Sequence, residues 1–196
     1  MDVSEQPGRT PLATLREAEL ATSLGQLGVT EHHWLPYRDG GLAEVPRAEG
    51  VEAVGRRLAA ARPDTIVTFG PDGLTGHEDH RTICDWTTQA WLEAGRPGRL
   101  WYVTLTPEFH QTWDDLNTEV GPWFAGSTPP VVPAGELAHT VRLTGRPARR
   151  KFAALAAHTS QTAELIRIAG PRRYQRWWSE ECFVDAARHL DRVAVA

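Results

Sequence analysis

The sequence predicts an α/β fold built on a mostly parallel sheet flanked by helices, and three observations predict it. Thr65-Ile66-Val67-Thr68-Phe69 is a β-branched and aromatic run with turn residues on both sides. Leu100-Trp101-Tyr102-Val103-Thr104-Leu105 is a second such run. The stretch between them, from about Glu78 to Glu93, reads as a helix, and alternation of strand and helix is the pattern of parallel strands joined by crossovers.

The other elements follow in order. Residues 1–10 are polar and read as a mobile tail. From Pro11 to Leu27 the positions Leu12, Leu15, Ala18, Leu20, Leu24 and Leu27 fall near helical spacing, and Gly28 is a suitable stop. His33-Trp34-Leu35-Pro36-Tyr37 reads as a short strand before an Arg-Asp-Gly-Gly turn. Val51 to Ala61 is a second helix with Val51, Val54, Leu58 and Ala61 on one face, ended by Arg62-Pro63-Asp64. Residues 106–140 read as an irregular cover or small subdomain rich in Pro, Gly and Trp. Thr140 to Thr144 reads as a strand, Arg149 to Ile168 as a helix ending at Gly170-Pro171, and Glu181 to Val184 as a last short strand. The length of 196 residues fits a single domain over residues 1–196.

Bulk composition narrows the class of partner. Net charge is −4 and 41% of the residues are hydrophobic, so neither nucleic acid nor an anionic membrane is expected, and there is enough apolar material for a core. No stretch is long and apolar enough to span a bilayer, and the N-terminus has no signal-peptide pattern. Cys84 and Cys182 are far apart and form no Cys-x-x-Cys, which reads as buried thiols in a reducing, cytoplasmic compartment. Of the eight tryptophans, most read as core, with Trp113 and Trp123 as candidates to line a pocket.

The chemistry lies in Gly70-Pro71-Asp72-Gly73-Leu74-Thr75-Gly76-His77-Glu78-Asp79-His80-Arg81. This segment follows the C-terminal end of a predicted parallel strand, where open α/β sheets bind ligands, and it opens a helix. His77 and His80 are spaced i, i+3, so both imidazoles can face one side. Imidazole binds zinc, and its second nitrogen usually needs a carboxylate or carbonyl partner, which Asp79 is placed to supply. The spacing alone also fits a solvated helix start in which Asp79 complements the helix dipole.

The longer string resembles the second motif of the LmbE-like (PIG-L) zinc-dependent N-deacetylases. Three further landmarks match in the family's order: Arg16-Glu17-Ala18-Glu19-Leu20 with Leu27-Gly28-Val29, then Tyr37-Arg38-Asp39-Gly40-Gly41-Leu42, then Lys151 to His158-Thr159-Ser160-Gln161. The resemblance implies a Rossmann-like fold and removal of acetyl from an N-acetylglucosamine-type or related amide. It implies His80 as a zinc ligand, His77 as the residue that stabilises the oxyanion, as imidazolium, and Asp79 as the group that orients and charge-balances it. It implies Arg16 and Asp39 as substrate-binding residues and a small-molecule N-acyl sugar as partner. Glu78 stands where the family usually has Pro, and Thr75 where some members have Tyr.

The family's first motif, roughly Ala-His-Pro-Asp-Asp-Glu, supplies one His and one Asp to the metal and the general base. No His-Pro-Asp-Asp occurs in these 196 residues. The expectation is therefore a family fold without its first β-α-β segment, weak or absent zinc, and impaired deacetylation. The alternative is a non-catalytic sugar-binding or interaction module. Exposed sheet edges in such a fold favour a homo-oligomer.

Overall fold

A computed structural model describes residues 11–124 and 126–193, so the expectation of a tail at residues 1–10 lies outside the described residues. In chain order the elements are α1 (Pro11–Leu27), α2 (Arg47–Ala61), β1 (Thr65–Phe69), α3 (Glu78–Glu93), β2 (Arg99–Thr104), α4 (Pro107–Val120), β3 (His139–Arg142), α5 (Gly145–Ala156), α6 (Thr159–Ala169), α7 (Pro171–Trp177), β4 (Glu180–Asp185) and α8 (Ala186–Val193). Short 3-10 turns cover Leu42–Glu44 and Ala134–Glu136. The chain divides into two compact units, Met1–His33 with Arg142–Glu180, and Trp34–Val141 with Glu181–Ala196.

In the first unit, α1 packs on α5, and α5, α6 and α7 pack on one another. Gly28 ends α1 at φ +74, with Gly28 N–H on Gly25 O (3.2 Å) and Val29 N–H on Leu24 O (3.0 Å). That bond pair is the two-bond helix stop that a glycine in the left-handed region makes easy. Tyr174 and Trp177 are the buried aromatics, edge-on at 6.0 Å, and Phe152 meets Tyr174 at 6.2 Å. Glu19 of α1 is also buried, and its carboxylate accepts from Ser160 N–H (2.6 Å) and Ser160 Oγ–H (2.7 Å). It satisfies an N-terminal amide of α6 from a distant helix, where the N-cap residue His158 offers no side-chain bond.

The second unit holds the sheet, in the order β1-β2-β4-β3. β1 and β2 are parallel, with Ile66 opposite Leu100. β2 and β4 are antiparallel, with Trp101 opposite Asp185, so the sheet is mixed rather than mostly parallel. β1 lies at one end of the strand order among the described residues. Ile66, Cys84, Trp91, Leu100, Tyr102 and Ala186 form the main core. Neither cysteine is in a disulfide, both are buried, and burial pushes the Cys84 thiol up to about 11.

A second cluster joins Val51 and Val54 of α2 to Trp86 and Ala90 of α3. Trp86 is 1% exposed, and a Cβ on Gly50 would lie 2.1 Å from its ring. Gly50 is therefore what lets the indole lie directly on the backbone of α2.

Four expectations are corrected. Residues 33–37 form no strand; Leu35 and Tyr37 instead pack into the second cluster, with Tyr37 edge-on to Trp86 at 5.4 Å. Pro36 has no N–H to give a ladder. Residues 106–140 are not wholly irregular, because α4 fills the first part, with Thr106 Oγ accepting from Phe109 N–H (3.2 Å) and Pro107 in the first turn. The helix expected over 149–168 is two helices, broken at His158, where Thr162 Oγ bonds back to the carbonyls of Leu155 and His158 (both 3.0 Å). The sheet direction is the fourth, since β4 enters antiparallel after the helices of the first unit.

Candidate active site

The loop after β1 is shaped by three residues in the left-handed region, Gly73 (φ +75), Leu74 (φ +60) and Gly76 (φ +83). Asp72 Oδ1 accepts from Leu74 N–H at 2.6 Å and Gly73 N–H bonds Gly70 O at 2.8 Å, closing a tight turn. A Cβ on Gly73 would lie 2.9 Å from His77 O, so the loop closes onto the start of α3 only with glycine there.

His77 is the N-cap of α3, and its Nδ1 accepts from Asp79 N–H at 3.0 Å. A ring nitrogen that accepts carries no proton, so this contact leaves Nε2 as the nitrogen of His77 that can donate. His80 is bonded the other way, its Nδ1 donating to Gly73 O at 3.0 Å. That leaves the lone pair of His80 on Nε2. Burial pushes the His80 pKa down, reinforced by His77 and opposed by the Gly73 bond and the charges of Asp79 and Asp39.

The two rings belong to an aromatic column. Phe69 stacks flat on His80 (3.7 Å between centroids, 4° between planes), His80 lies 4.9 Å from His77, and Phe124 meets His77 edge-on at 4.8 Å. Phe124 is 52% exposed. The segment around it is docked on the histidine loop, with Phe124 N–H (2.9 Å) and Ser127 Oγ–H (3.2 Å) both on Thr75 O. A Cβ on Gly76 would lie 2.2 Å from Ser127 Cβ. Nearby, His110 Nε2 bonds Pro130 O at 3.0 Å and its ring lies 5.8 Å from the half-buried Trp123.

Asp79 is 8% exposed, and its carboxylate does not bond His77. Oδ2 accepts from Gly40 N–H (2.6 Å) and Oδ1 from Leu42 N–H (3.1 Å). The contact that orients His77 is made by the backbone amide of Asp79. Thus Asp39, His77, Asp79 and His80 come together in the second unit, with the charge of Asp39 acting on His80. Arg16 lies on α1 in the first unit, one turn before Glu19, whose pKa it helps to lower. Phe69, Phe124, Ser127 and the amides of Gly40 and Leu42 were not singled out by sequence reasoning. Only Phe69 carried a usable signal, as the last strand residue before the glycine loop.

His80 has the bonding of a zinc ligand, a carbonyl on Nδ1 and a lone pair on Nε2. A catalytic zinc takes three protein ligands, and among the described residues no three His, Cys, Asp or Glu side chains gather into a metal-holding group. The described residues therefore do not by themselves fit that ion.

Comparison with known proteins shows what the chain is similar to. Residues 2–91 match the model of the PIG-L family, described as GlcNAc-PI de-N-acetylase. A 1D-myo-inositol 2-acetamido-2-deoxy-alpha-D-glucopyranoside deacetylase of Kineococcus radiotolerans is 32% identical, over 82% of this chain and 56% of its own length. The protein of the same name from Corynebacterium diphtheriae is 29% identical, over 76% of this chain and 56% of its own. A deacetylase 2 of that description from Catenulispora acidiphila is 41% identical over 35% of this chain and 28% of its own. The chain is similar to members of the PIG-L family over its first half. It spans about half the length of the relatives it matches over most of its own sequence. Among the described residues no helix is long and apolar enough to cross a membrane.

Proposed function

We propose that this chain carries the substrate-holding and oxyanion side of a metal-dependent N-deacetylase that acts on an N-acetylglucosamine amide. The observation that carries the reading is the opposite bonding of the two imidazoles. His77 presents an Nε2–H donor, suited to a carbonyl oxygen that gains charge as the amide is attacked. His80 presents an Nε2 lone pair, suited to zinc. Asp39 holds part of the substrate, and Arg16, in the first unit, is a substrate-binding residue by the family resemblance alone. The relatives' names support an inositol-linked N-acetylglucosamine as the substrate. The two thiols outside any disulfide support a cytoplasmic setting.

On its own, the 196-residue chain is a weak zinc binder and an impaired deacetylase, because one imidazole does not hold zinc tightly. The incomplete ligand set among the described residues equally supports a second reading, a sugar-binding module without turnover. Three measurements decide: zinc content of the purified chain, binding of 1D-myo-inositol 2-acetamido-2-deoxy-alpha-D-glucopyranoside, and acetate release from it. Stoichiometric zinc with fast release overturns the impairment. Binding that is lost in His77→Ala, with no release, selects the binding module. No binding at all overturns both readings.

The proposal extends to a homo-oligomer, supported by the exposed Leu12, Leu15 and Val67, the last on a strand at the end of the sheet order. Light scattering that gives a clean monomer at high concentration overturns this part.

A further inference from the structure

We propose that Asp79 is the positioning residue of the Asp39 turn, and that it sets substrate affinity through that turn. The proposal rests on the reading of Asp39 as a substrate contact. Its observations are independent of any ligand.

Both oxygens of a nearly buried carboxylate are committed to the backbone of one short turn, Gly40 at 2.6 Å and Leu42 at 3.1 Å. Within the turn Gly41 N–H bonds Arg38 O at 3.2 Å, Glu44 N–H bonds Gly41 O at 3.2 Å, Val45 N–H bonds Leu42 O at 3.1 Å, and Gly40 is at φ +75. Amide bonds to an ionised carboxylate are about twice as strong as neutral ones. The carboxylate thus adds two charge-assisted restraints, one of them the shortest bond in the turn, on the residues that directly follow Asp39. Asp39 in turn is near enough to His80 for its charge to act there.

The two roles available to Asp79 use different atoms. Its backbone N–H orients the His77 ring, and its side chain holds the turn. A side-chain substitution therefore leaves the first contact in place and removes the second. In Asp79→Asn one of the two acceptors becomes an NH2 group, which faces an amide N–H with no acceptor. The turn loses one bond and meets a donor against a donor, while His77 keeps its orienting amide.

The test measures affinity for 1D-myo-inositol 2-acetamido-2-deoxy-alpha-D-glucopyranoside by calorimetry in the full chain, in D39A, in D79N and in the double variant. Expected are a loss of about tenfold in D79N, at least as much in D39A, and no more than about twofold further loss in the double variant, since two residues acting through one contact are not additive. Amide NMR of the same proteins supplies a second readout. In D79N the Gly40 and Leu42 resonances move and exchange faster, while His77 keeps its proton on Nε2. Wild-type affinity in D79N beside a weakened D39A overturns the proposal, as do losses that multiply. So does a changed His77 tautomer with Gly40 and Leu42 unaltered. Unaltered affinity in D39A removes the Asp39 assignment and the premise with it. If D79N does not fold, hydrogen exchange in the wild type decides: Gly40 and Leu42 amides exchanging as fast as free loop amides overturn the clamp.

Discussion

Glu19 and Ser160 are 141 residues apart and meet through both carboxylate oxygens, one on the serine amide at 2.6 Å and one on its hydroxyl at 2.7 Å. These bonds, ahead of the charges of His158 and Arg16, hold the Glu19 pKa below its ordinary value of 4.5. A carboxylate with a depressed folded pKa adds stability that is complete above its unfolded value and is lost as pH falls through the folded one. Glu19→Gln is therefore expected to lower the melting temperature at neutral pH. It is also expected to flatten the decline of stability below about pH 4.5 relative to wild type. Parallel melts of the two proteins between neutral and acid pH check it, and identical acid limbs exclude the role.

Gly50→Ala places a methyl group 2.1 Å from the buried Trp86 ring. Overpacking of this kind costs about 1–3 kcal/mol, and the rigid backbone on one side puts this case at the upper end. Urea denaturation should show that loss, with a smaller loss when Gly50→Ala is made in a Trp86→Leu background. An alanine tolerated without loss would mean that α2 and α3 do not pack this closely.

His77 and His80 are expected to hold their protons on opposite ring nitrogens, His77 on Nε2 and His80 on Nδ1. Long-range proton–nitrogen correlation spectra near neutral pH read the tautomers directly. The same tautomer on both rings contradicts the donor and ligand roles assigned to them.

Gly76→Ala meets two obstacles, a φ of +83 and a Ser127 Cβ at 2.2 Å. A left-handed non-glycine residue alone costs about 1–3 kcal/mol. The expected result is faster amide exchange at Phe124 and Ser127, with α3 amides in its later turns unaffected. Unchanged protection at Phe124 would separate its segment from the histidine loop.

What could be read from the sequence was local. β1, α1 and α3 each carry their own periodicity and stop signals, so their bounds were legible at Phe69, Gly28 and Glu93. The histidine loop was legible because its glycines and imidazoles are adjacent. The break at His158 was not, since the groups that stabilise it are the Thr162 hydroxyl, four residues on, and Glu19 on another helix. The strand expected at 33–37 failed because alternation says nothing about whether a partner strand exists. α4 was missed although Thr106-Pro107-Glu108 is a helix-start pattern, because the Gly, Pro and Trp residues beyond it dominated the window. The Asp79 bonds to Gly40 and Leu42 span 39 and 37 residues, a closeness that only the folded chain displays.

Both cysteines lie in the unit that contains the histidine loop, and neither belongs to the helical unit of α1 and α5 to α7. A buried thiol held near 11 has almost no thiolate at neutral pH, so Cys84 ignores alkylating reagents until its surroundings open. The protein thus has a built-in chemical clock. The rate at which iodoacetamide reaches Cys84 times the opening of the sheet unit by itself, and melting of the helical unit alone leaves that clock stopped.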